Sequence, residues 1–272
     1  MVRMEEDTMD LEAVKVKQQA AWASGDYAVV GATIVLMAEL LCEAMDLHSE
    51  WTVLDVAGGS GNASLAAARR GCWVTSTDYV PSLLEHGKAR AAADGFRIAF
   101  QEADAENLPF GDGSFDALIS TVGVMFAPNQ ERCASEMMRV CKVGGKIGLA
   151  NWTPGSFVGQ IFKCIGKYLP PPAGVKPPSL WGTKDRLAEL FDGVAKIETE
   201  VRFFNFRSGS PEKWLEGFKT YYGPMNKTFA ALDEAGQAGL TADLLALVGT
   251  LNRAEDGTMI VPSEYLEVVI TR

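Results

Sequence analysis

The sequence is poor in the residues that most often carry metal and acid–base chemistry. In 272 residues it has two histidines, His48 and His86, and five cysteines, Cys42, Cys72, Cys133, Cys141 and Cys164. The cysteines are scattered and form no C-x-x-C pair, so neither a structural zinc site nor a disulfide framework is expected, and a reduced, cytoplasmic setting fits. Each reads as a small buried hydrophobe. His48 precedes the first expected strand and His86 falls on a crossover helix, so both are expected on the surface and no histidine base is anticipated. No metal-ligand constellation is apparent. Basic charge is also short: 25 Lys and Arg face 35 Asp and Glu, for a net charge of −10. A nucleic-acid partner needs a basic face, so it is excluded as the main ligand. The start, with Glu5, Glu6 and Asp7, lacks an apolar signal core, and no secretion signal is expected. The longest apolar run, Val29 to Ala38, stops at Glu39 and is too short to span a bilayer. No repeat or low-complexity tract interrupts the chain. With 47% hydrophobic residues it can bury a sizeable core.

What the chain does have is one organising stretch, Trp51-Thr-Val-Leu-Asp-Val-Ala-Gly-Gly-Ser-Gly-Asn62. Val53, Leu54 and Val56 read as a short buried strand. Gly58, Gly59 and Gly61 then leave the backbone bare, and Asn62 to Arg70 is rich in helix formers. Strand, bare turn and helix N-terminus together let a ligand lie against the main chain and aim a positive helix end at it. An ordinary tight turn is the alternative.

The rest of the chain supports a layered α/β reading. Asp10 to Trp22 and Tyr27 to Met45 are expected helices, broken at Ser24-Gly25-Asp26, with Trp22 and Tyr27 placed to close over the site. Cys72 to Asp78 and Arg97 to Asp104 are expected strands that each end on an acid. Asp78 lies 17 residues after Gly61, near the spacing of about 20 for a ribose-binding acid in a βαβ unit. A carboxylate at a strand end suits a ribose diol. The helix from Val80 to Ala93 should bury Leu83, Leu84 and Ala89. Ala117 to Val124 is a continuous apolar strand, Pro128 to Val140 a helix, and Val143-Gly-Gly145 a turn into a strand from Lys146 to Trp152. Alternating strands and helices imply a parallel sheet with ligands at the strands' carboxyl ends.

Beyond Trp152 come a short apolar helix between Phe157 and Leu169 and helices near 184–191, 211–222, 227–235 and 241–252. Ala195 to Arg207 and Tyr265 to Thr271 are the last strands. The Pro-rich stretch Leu169 to Pro178 and the later helices are expected as a cap over the same sheet edge, or as a satellite core. The expected organisation is a single domain: N-terminal helices over the cofactor site (1–50), a cofactor-binding core (51–152), and the rest of the sheet with cap helices (153–272).

Two acids at successive strand ends after a glycine turn admit two cofactors. A dinucleotide enzyme wants G-x-G-x-x-G, but here Asn62-Ala-Ser64 supplies no third glycine, and no tyrosine begins a Tyr-x-x-x-Lys pair. The other reading is S-adenosylmethionine, which has no phosphate but carries a ribose, an adenine and a cationic sulfonium. The resemblance comes from Val-Leu-Asp-Val-Ala-Gly-Gly-Ser-Gly-Asn, Thr-Asp-Tyr at the second strand end, Asp-Ala-Glu-Asn-Leu-Pro-Phe, Ser-Phe-Asp and Val-Cys-Lys-Val-Gly-Gly, in that order. As a set, over about Val53 to Ala150, they resemble the class I S-adenosylmethionine-dependent methyltransferases, particularly the ubiquinone/menaquinone-biosynthesis-like branch.

The resemblance implies a Rossmann-like, doubly wound seven-stranded sheet, mostly parallel with an antiparallel last strand and helical cap insertions. It implies that Ala57, Gly58, Gly59 and Gly61 line the methionine part of the cofactor. Asp78 would hold the ribose, Tyr79 the adenine, Asp104 and Ala105 the adenine edge, and Thr121 and Val122 would sit below the sulfonium. S-adenosylhomocysteine would be the product. Two positions depart from the family: Ala57 stands for the usual first glycine, tolerable if its φ stays negative, and Val143 for a proline. Methyl transfer from a sulfonium needs alignment and exclusion of water more than a base. Tyr27, Tyr221 and Tyr222 are the candidates if a base is used. The expected partner is a small, partly apolar molecule; a nucleotide-dependent oxidoreductase and a non-catalytic cofactor-binding subunit are the alternatives. The sequence does not speak to oligomeric state.

Overall fold

The computed structural model describes residues 10–272. Glu5, Glu6 and Asp7, read above as a start without a signal core, lie outside the described residues. The first half alternates as the sequence suggests: β1 (Thr52–Val56), α4 (Asn62–Arg69), β2 (Trp73–Asp78), α5 (Pro81–Asp94), β3 (Ile98–Glu102), β4 (Phe115–Thr121), α6 (Gln130–Val140) and β5 (Cys141–Trp152). Ahead of it lie α1 (Leu11–Trp22), α2 (Tyr27–Gly31) and α3 (Val35–Ala44). After it come α7 (Phe157–Tyr168), α8 (Lys184–Leu190), β6 (Lys196–Ser208), α9 (Pro211–Tyr221), α10 (Gly223–Ala231), α11 (Glu234–Leu251) and β7 (Met259–Thr271).

The seven strands form one sheet in the order β3-β2-β1-β4-β5-β7-β6. β1 pairs in parallel with β2 and β4, as do β2 with β3 and β4 with β5. Only β7 runs against its neighbours, pairing antiparallel with β5 and β6. The expected sheet, mostly parallel with an antiparallel last strand, is therefore the one observed. The chain winds outward through β2 and β3, then returns to the other side of β1 for β4. The two loops that leave β1 and β4 diverge, and a crevice opens between them at the carboxyl ends.

Local chemistry sets most boundaries. Asp10 caps α1 by accepting from the Ala13 N–H at 3.0 Å, and Asn129 caps α6 through Arg132 N–H at 2.9 Å. Pro81 opens α5, where its missing N–H costs nothing. On α5 the buried positions are Leu83, Leu84, Gly87 and Ala91, whereas Ala89 is exposed.

Several elements differ from expectation, for identifiable reasons. The single helix expected over 27–45 is split by a 3₁₀ turn at Ala32–Ile34. The Gly31 carbonyl there accepts from Asn62 Nδ2 at 2.8 Å, so a side chain from another element competes for a bond an unbroken helix would keep. β4 ends at Thr121 rather than Val124, because Val122 turns to φ +68. Val143 to Gly145 is no connecting turn but a bulge inside β5. Phe115 faces Cys141 while Ala117 faces Lys146, so the intervening residues loop out. The two helices expected at 227–235 and 241–252 are α10 and α11, divided where Asp233 caps α11 by accepting from Gly236 N–H at 2.8 Å. β7 starts six residues before the expected Tyr265, its extension pairing with β6 alone.

The stretch Tyr27–Ala44 is long and apolar enough to cross a membrane by length and composition, with a mean hydropathy of 1.7 over 18 residues. That window extends the uninterrupted run Val29 to Ala38 across Glu39 and Glu43. In the fold it is broken at the 3₁₀ turn, and α3 buries Met37, Ala38, Leu41 and Cys42 in the core. Glu39 on α3 also bonds Arg69 at 2.6 Å and Arg70 at 2.8 Å. The apolar face and the charge pattern both fit helix-on-sheet packing.

Candidate active site

The crevice between β1 and β4 is a cleft, and its polar wall begins at the end of β1. The Gly58 N–H donates to the Thr77 carbonyl at 2.8 Å. A side chain at 58 has no room: a Cβ there would lie 2.7 Å from both Asp55 Oδ2 and Ser76 Oγ. Gly61 takes φ +82 as the residue before α4, a conformation that favours glycine. Asp78, at the end of β2, is nearly fully buried and fixed by main chain on both oxygens. The Gly59 N–H donates to Oδ2 and the Val80 N–H to Oδ1, each at 2.9 Å. One bond per oxygen leaves a free lone pair on each, side by side at the cleft.

Asp55, inside β1, is the acid the sequence reading passed over. Its Oδ2 accepts from the Ser64 N–H at 2.8 Å and hydroxyl at 2.6 Å, while Oδ1 is buried with no partner. Burial pushes its pKa up to about 7 despite the Ser64 bonds. Burial likewise raises Asp78 to about 6, against the opposing bonds from Val80 and Gly59. The signal for Asp55 was present: an acid inside an apolar strand needs a reason to be buried.

At the β3 end, Asp104 and Ala105 line the cleft beside Glu106. The Lys15 ammonium on α1 reaches across to Asp104 at 2.8 Å and Glu106 at 3.0 Å. Burial works to lower the pKa of Lys15, but its hydrogen bonds to Asp104, Glu12 and Glu106 outweigh burial and raise it. Gln19, one turn further along α1, bonds the Tyr79 carbonyl. Nothing in the sequence distinguished Lys15 from other helix-surface lysines.

The opposite wall is aromatic. Trp22, Tyr27 and Phe126 line the cleft. The Trp22 ring meets Phe126 edge-on at 4.9 Å and Tyr27 at 5.5 Å. Phe126 was not anticipated; its place depends on the 3₁₀ turn Gly123–Phe126, which sequence periodicity did not reveal. Tyr222 stands one layer behind, its ring 5.5 Å from Trp22 and 6.5 Å from Tyr27. Burial, with the nearby Asp78 charge, raises the Tyr27 pKa to about 12, and burial raises Tyr222 as well.

Of the residues singled out from sequence, Tyr27, Ala57, Gly58, Gly59, Asp78, Tyr79, Asp104, Ala105, Thr121 and Val122 come together around this one cleft. Gly61 does not line it. Its position faces Gly87 of α5 and the Phe100 ring instead. Tyr221 also lies away from it, 39% exposed. Ala57 has φ +53, not the negative value expected, and Val122 at the end of β4 also adopts positive φ. Among the described residues, nothing after Pro128 lines the cleft, so the segments expected as a cap reach it from the second layer, through Tyr222 on Trp22 and Phe162 on Phe126. His48 stacks on Trp51 and is 60% exposed; His86 is half-exposed near Asp26.

The model of the methyltransferase domain family matches residues 54–149, from β1 through β5. An uncharacterized protein of Mycobacterium tuberculosis, Rv1403c, is 39% identical over 240 residues, covering 87% of this chain and 88% of that one. The ubiquinone/menaquinone biosynthesis C-methyltransferase UbiE of Bartonella bacilliformis is 43% identical over 103 residues, which are 36% of this chain and 40% of that protein. Among solved structures, the YcgJ protein of Bacillus subtilis shares the fold, with a TM-score of 0.58 at 17% identity over 87% of this chain and 98% of that one. Motifs, topology and relatives agree: the chain belongs to the class I S-adenosylmethionine-dependent methyltransferase family.

Proposed function

We propose that the cleft binds S-adenosylmethionine and that the protein transfers its methyl group to a small, partly apolar acceptor, releasing S-adenosylhomocysteine. The observation that carries this reading is Asp78: a buried carboxylate with one main-chain N–H on each oxygen, beside a turn whose residue 58 has no room for a side chain. Its two remaining lone pairs match a ribose diol. The unpartnered Asp55 Oδ1 would take the cofactor's ammonium, supported by its burial without a partner. Asp104 and Ala105 would meet the adenine edge with Tyr79 against the ring. Ala57, Gly58 and Gly59 would lie along the methionyl chain, with Thr121 and Val122 near the sulfonium. Gly61 would serve only to shape the turn.

When bound, the cofactor supplies an electrophilic methyl whose leaving group is a neutral thioether. The chain's own part is alignment and exclusion of water, which fits an aromatic wall opposite the carboxylates. Tyr27 is protonated at neutral pH as any tyrosine is, and burial moves its pKa further up to about 12, so it is placed to donate a hydrogen bond rather than to act as a base. Tyr222 is buried behind it with the same bias. An acceptor whose nucleophilic atom already holds a free lone pair suits such a site.

Titration calorimetry with S-adenosylmethionine and S-adenosylhomocysteine tests the cofactor, and micromolar binding of both is the expected result. Nicotinamide nucleotide binding with neither of these would favour an oxidoreductase. Transfer of labelled methyl from the cofactor into a metabolite extract tests turnover. Binding without any transfer would favour a regulatory, non-catalytic subunit.

A further inference from the structure

Arg90 on α5 is a half-buried cation that the cleft chemistry above does not use. Among the described residues no carboxylate lies within ion-pair distance of it. Its Nη1 donates instead to the Ser60 carbonyl at 2.6 Å and to Asn62 Oδ1 at 2.8 Å. Burial lowers its pKa and Arg69 adds to the effect, with Asp94 one turn along α5 opposing them, so the charge is held against burial without a direct ion pair among the described residues. The bonds continue beyond it. Asn62 Nδ2 donates to the Gly31 carbonyl on α2 at 2.8 Å. α2 in turn lies on the turn: a Cβ at Gly31 would meet Ser60 Oγ at 3.1 Å, and one at Gly59 would meet the Tyr27 ring at 3.8 Å. The glycine turn is therefore held from two sides. The β2 end holds it through Thr77 and Asp78. Arg90 holds the other side, and its bonds run on in series to the helix that carries Tyr27.

We propose that Arg90 is a positioning residue that sets the glycine turn for the cofactor and couples its occupancy to α2. Charge-assisted bonds to a carbonyl and an amide oxygen are strong enough to fix a turn whose glycines otherwise leave it free. Cofactor in the cleft presses on the turn, and the Ser60–Arg90–Asn62–Gly31 series carries that constraint to α2. The proposal rests on the cofactor reading above.

The test is calorimetry with S-adenosylhomocysteine on wild type, R90M, R90K and N62A, with melting temperatures, and hydrogen exchange of α2 with and without that ligand. R90M should lose roughly tenfold in affinity, the worth of one charge-assisted bond, while still melting cooperatively. R90K keeps the charge but loses the planar donor, and should recover no more than about a third of that loss on a logarithmic scale. N62A removes the two links beyond Arg90 and leaves its bond to the Ser60 carbonyl, so ligand should still protect the turn but no longer α2. Wild-type affinity in R90M, full recovery in R90K, or unchanged α2 protection in N62A would each overturn the proposal. Should R90M fail to fold, R90K and N62A still decide it. Failure of the wild type to bind the ligand would instead remove the cofactor reading itself.

Discussion

The two walls of the cleft are built in opposite ways. The polar wall comes from short runs at three strand ends, and main-chain bonds fix its acids: Gly59 and Val80 on Asp78, Ser64 on Asp55. The aromatic wall comes from α1, α2 and the 3₁₀ turn after β4, backed by Tyr222 from the α9–α10 junction, and ring packing holds it together. Hydrogen bonds to fixed main chain tolerate little displacement, whereas edge-on rings accept many neighbours of similar shape. A wall of the first kind suits one invariant ligand and a wall of the second suits a ligand class. Cofactor binding and acceptor choice should therefore come apart under mutation.

The largest expected effect tests that separation. Asp78→Ala should weaken S-adenosylhomocysteine binding at least tenfold and nearer a hundredfold, since two hydroxyl bonds to one carboxylate are lost. Trp22→Ala should leave the same affinity within about threefold while methyl transfer into extract falls at least tenfold, because its ring shapes the other wall. Calorimetry and label transfer on both variants read the contrast. Equal losses of affinity in the two would mean the walls act as one site.

The same contrast explains what was legible in the sequence. The alternation of strands and helices, the glycine turn and the acids at 78 and 104 follow from contiguous patterns, because β1 carries its own turn and the next two expected strands each end on an acid. The aromatic wall does not. Trp22 and Tyr27 could be named from their place beside Gly25, but Phe126 depends on Val122 turning left-handed, and Lys15 on α1 crossing to the β3 end. Tyr221 and Tyr222 are neighbours in sequence, yet only the second faces inward. The split of the 27–45 helix falls where Asn62 bonds the Gly31 carbonyl, a long-range contact that no local propensity encodes. Tertiary bonds from distant segments decide such features.

An intermediate effect is expected from pH. Burial raises Asp55 to about 7 and Asp78 to about 6 in the ligand-free protein. The folded state thus holds these protons more tightly than the unfolded chain. Stability from these two groups is present below their ordinary carboxylate range and is lost as pH rises through 6 and 7. The ammonium on Asp55 and the two hydroxyl bonds on Asp78 both need the ionised carboxylate, so affinity runs the other way, rising through pH 6 and 7 and lost on acidification. Between pH 8 and 5.5 affinity should fall about tenfold or more. Thermal stabilisation by saturating S-adenosylmethionine should shrink over the same interval. A flat profile would show that neither the ammonium on Asp55 nor the ribose on Asp78 sits where the reading puts it.

The smallest effect concerns the two strand ends that flank the crevice, where Ala57 has φ +53 and Val122 φ +68. Left-handed backbone costs a residue with a Cβ about 1–2 kcal/mol. Ala57→Gly removes that strain but widens the unfolded ensemble by about 0.4–1 kcal/mol, so a net gain of about 0–1.6 kcal/mol is expected. Val122→Gly relieves similar strain yet deletes a side chain that is 6% exposed, and losing its burial costs roughly 1.5–3 kcal/mol, so that variant should be destabilised. Urea denaturation at pH 7.5 measures both signs. A loss of more than about 1 kcal/mol in Ala57→Gly would mean that the methyl group's contact with Gly123 outweighs the strain. Ala57 would then be a packing residue of the crevice, rather than a glycine position filled at a cost.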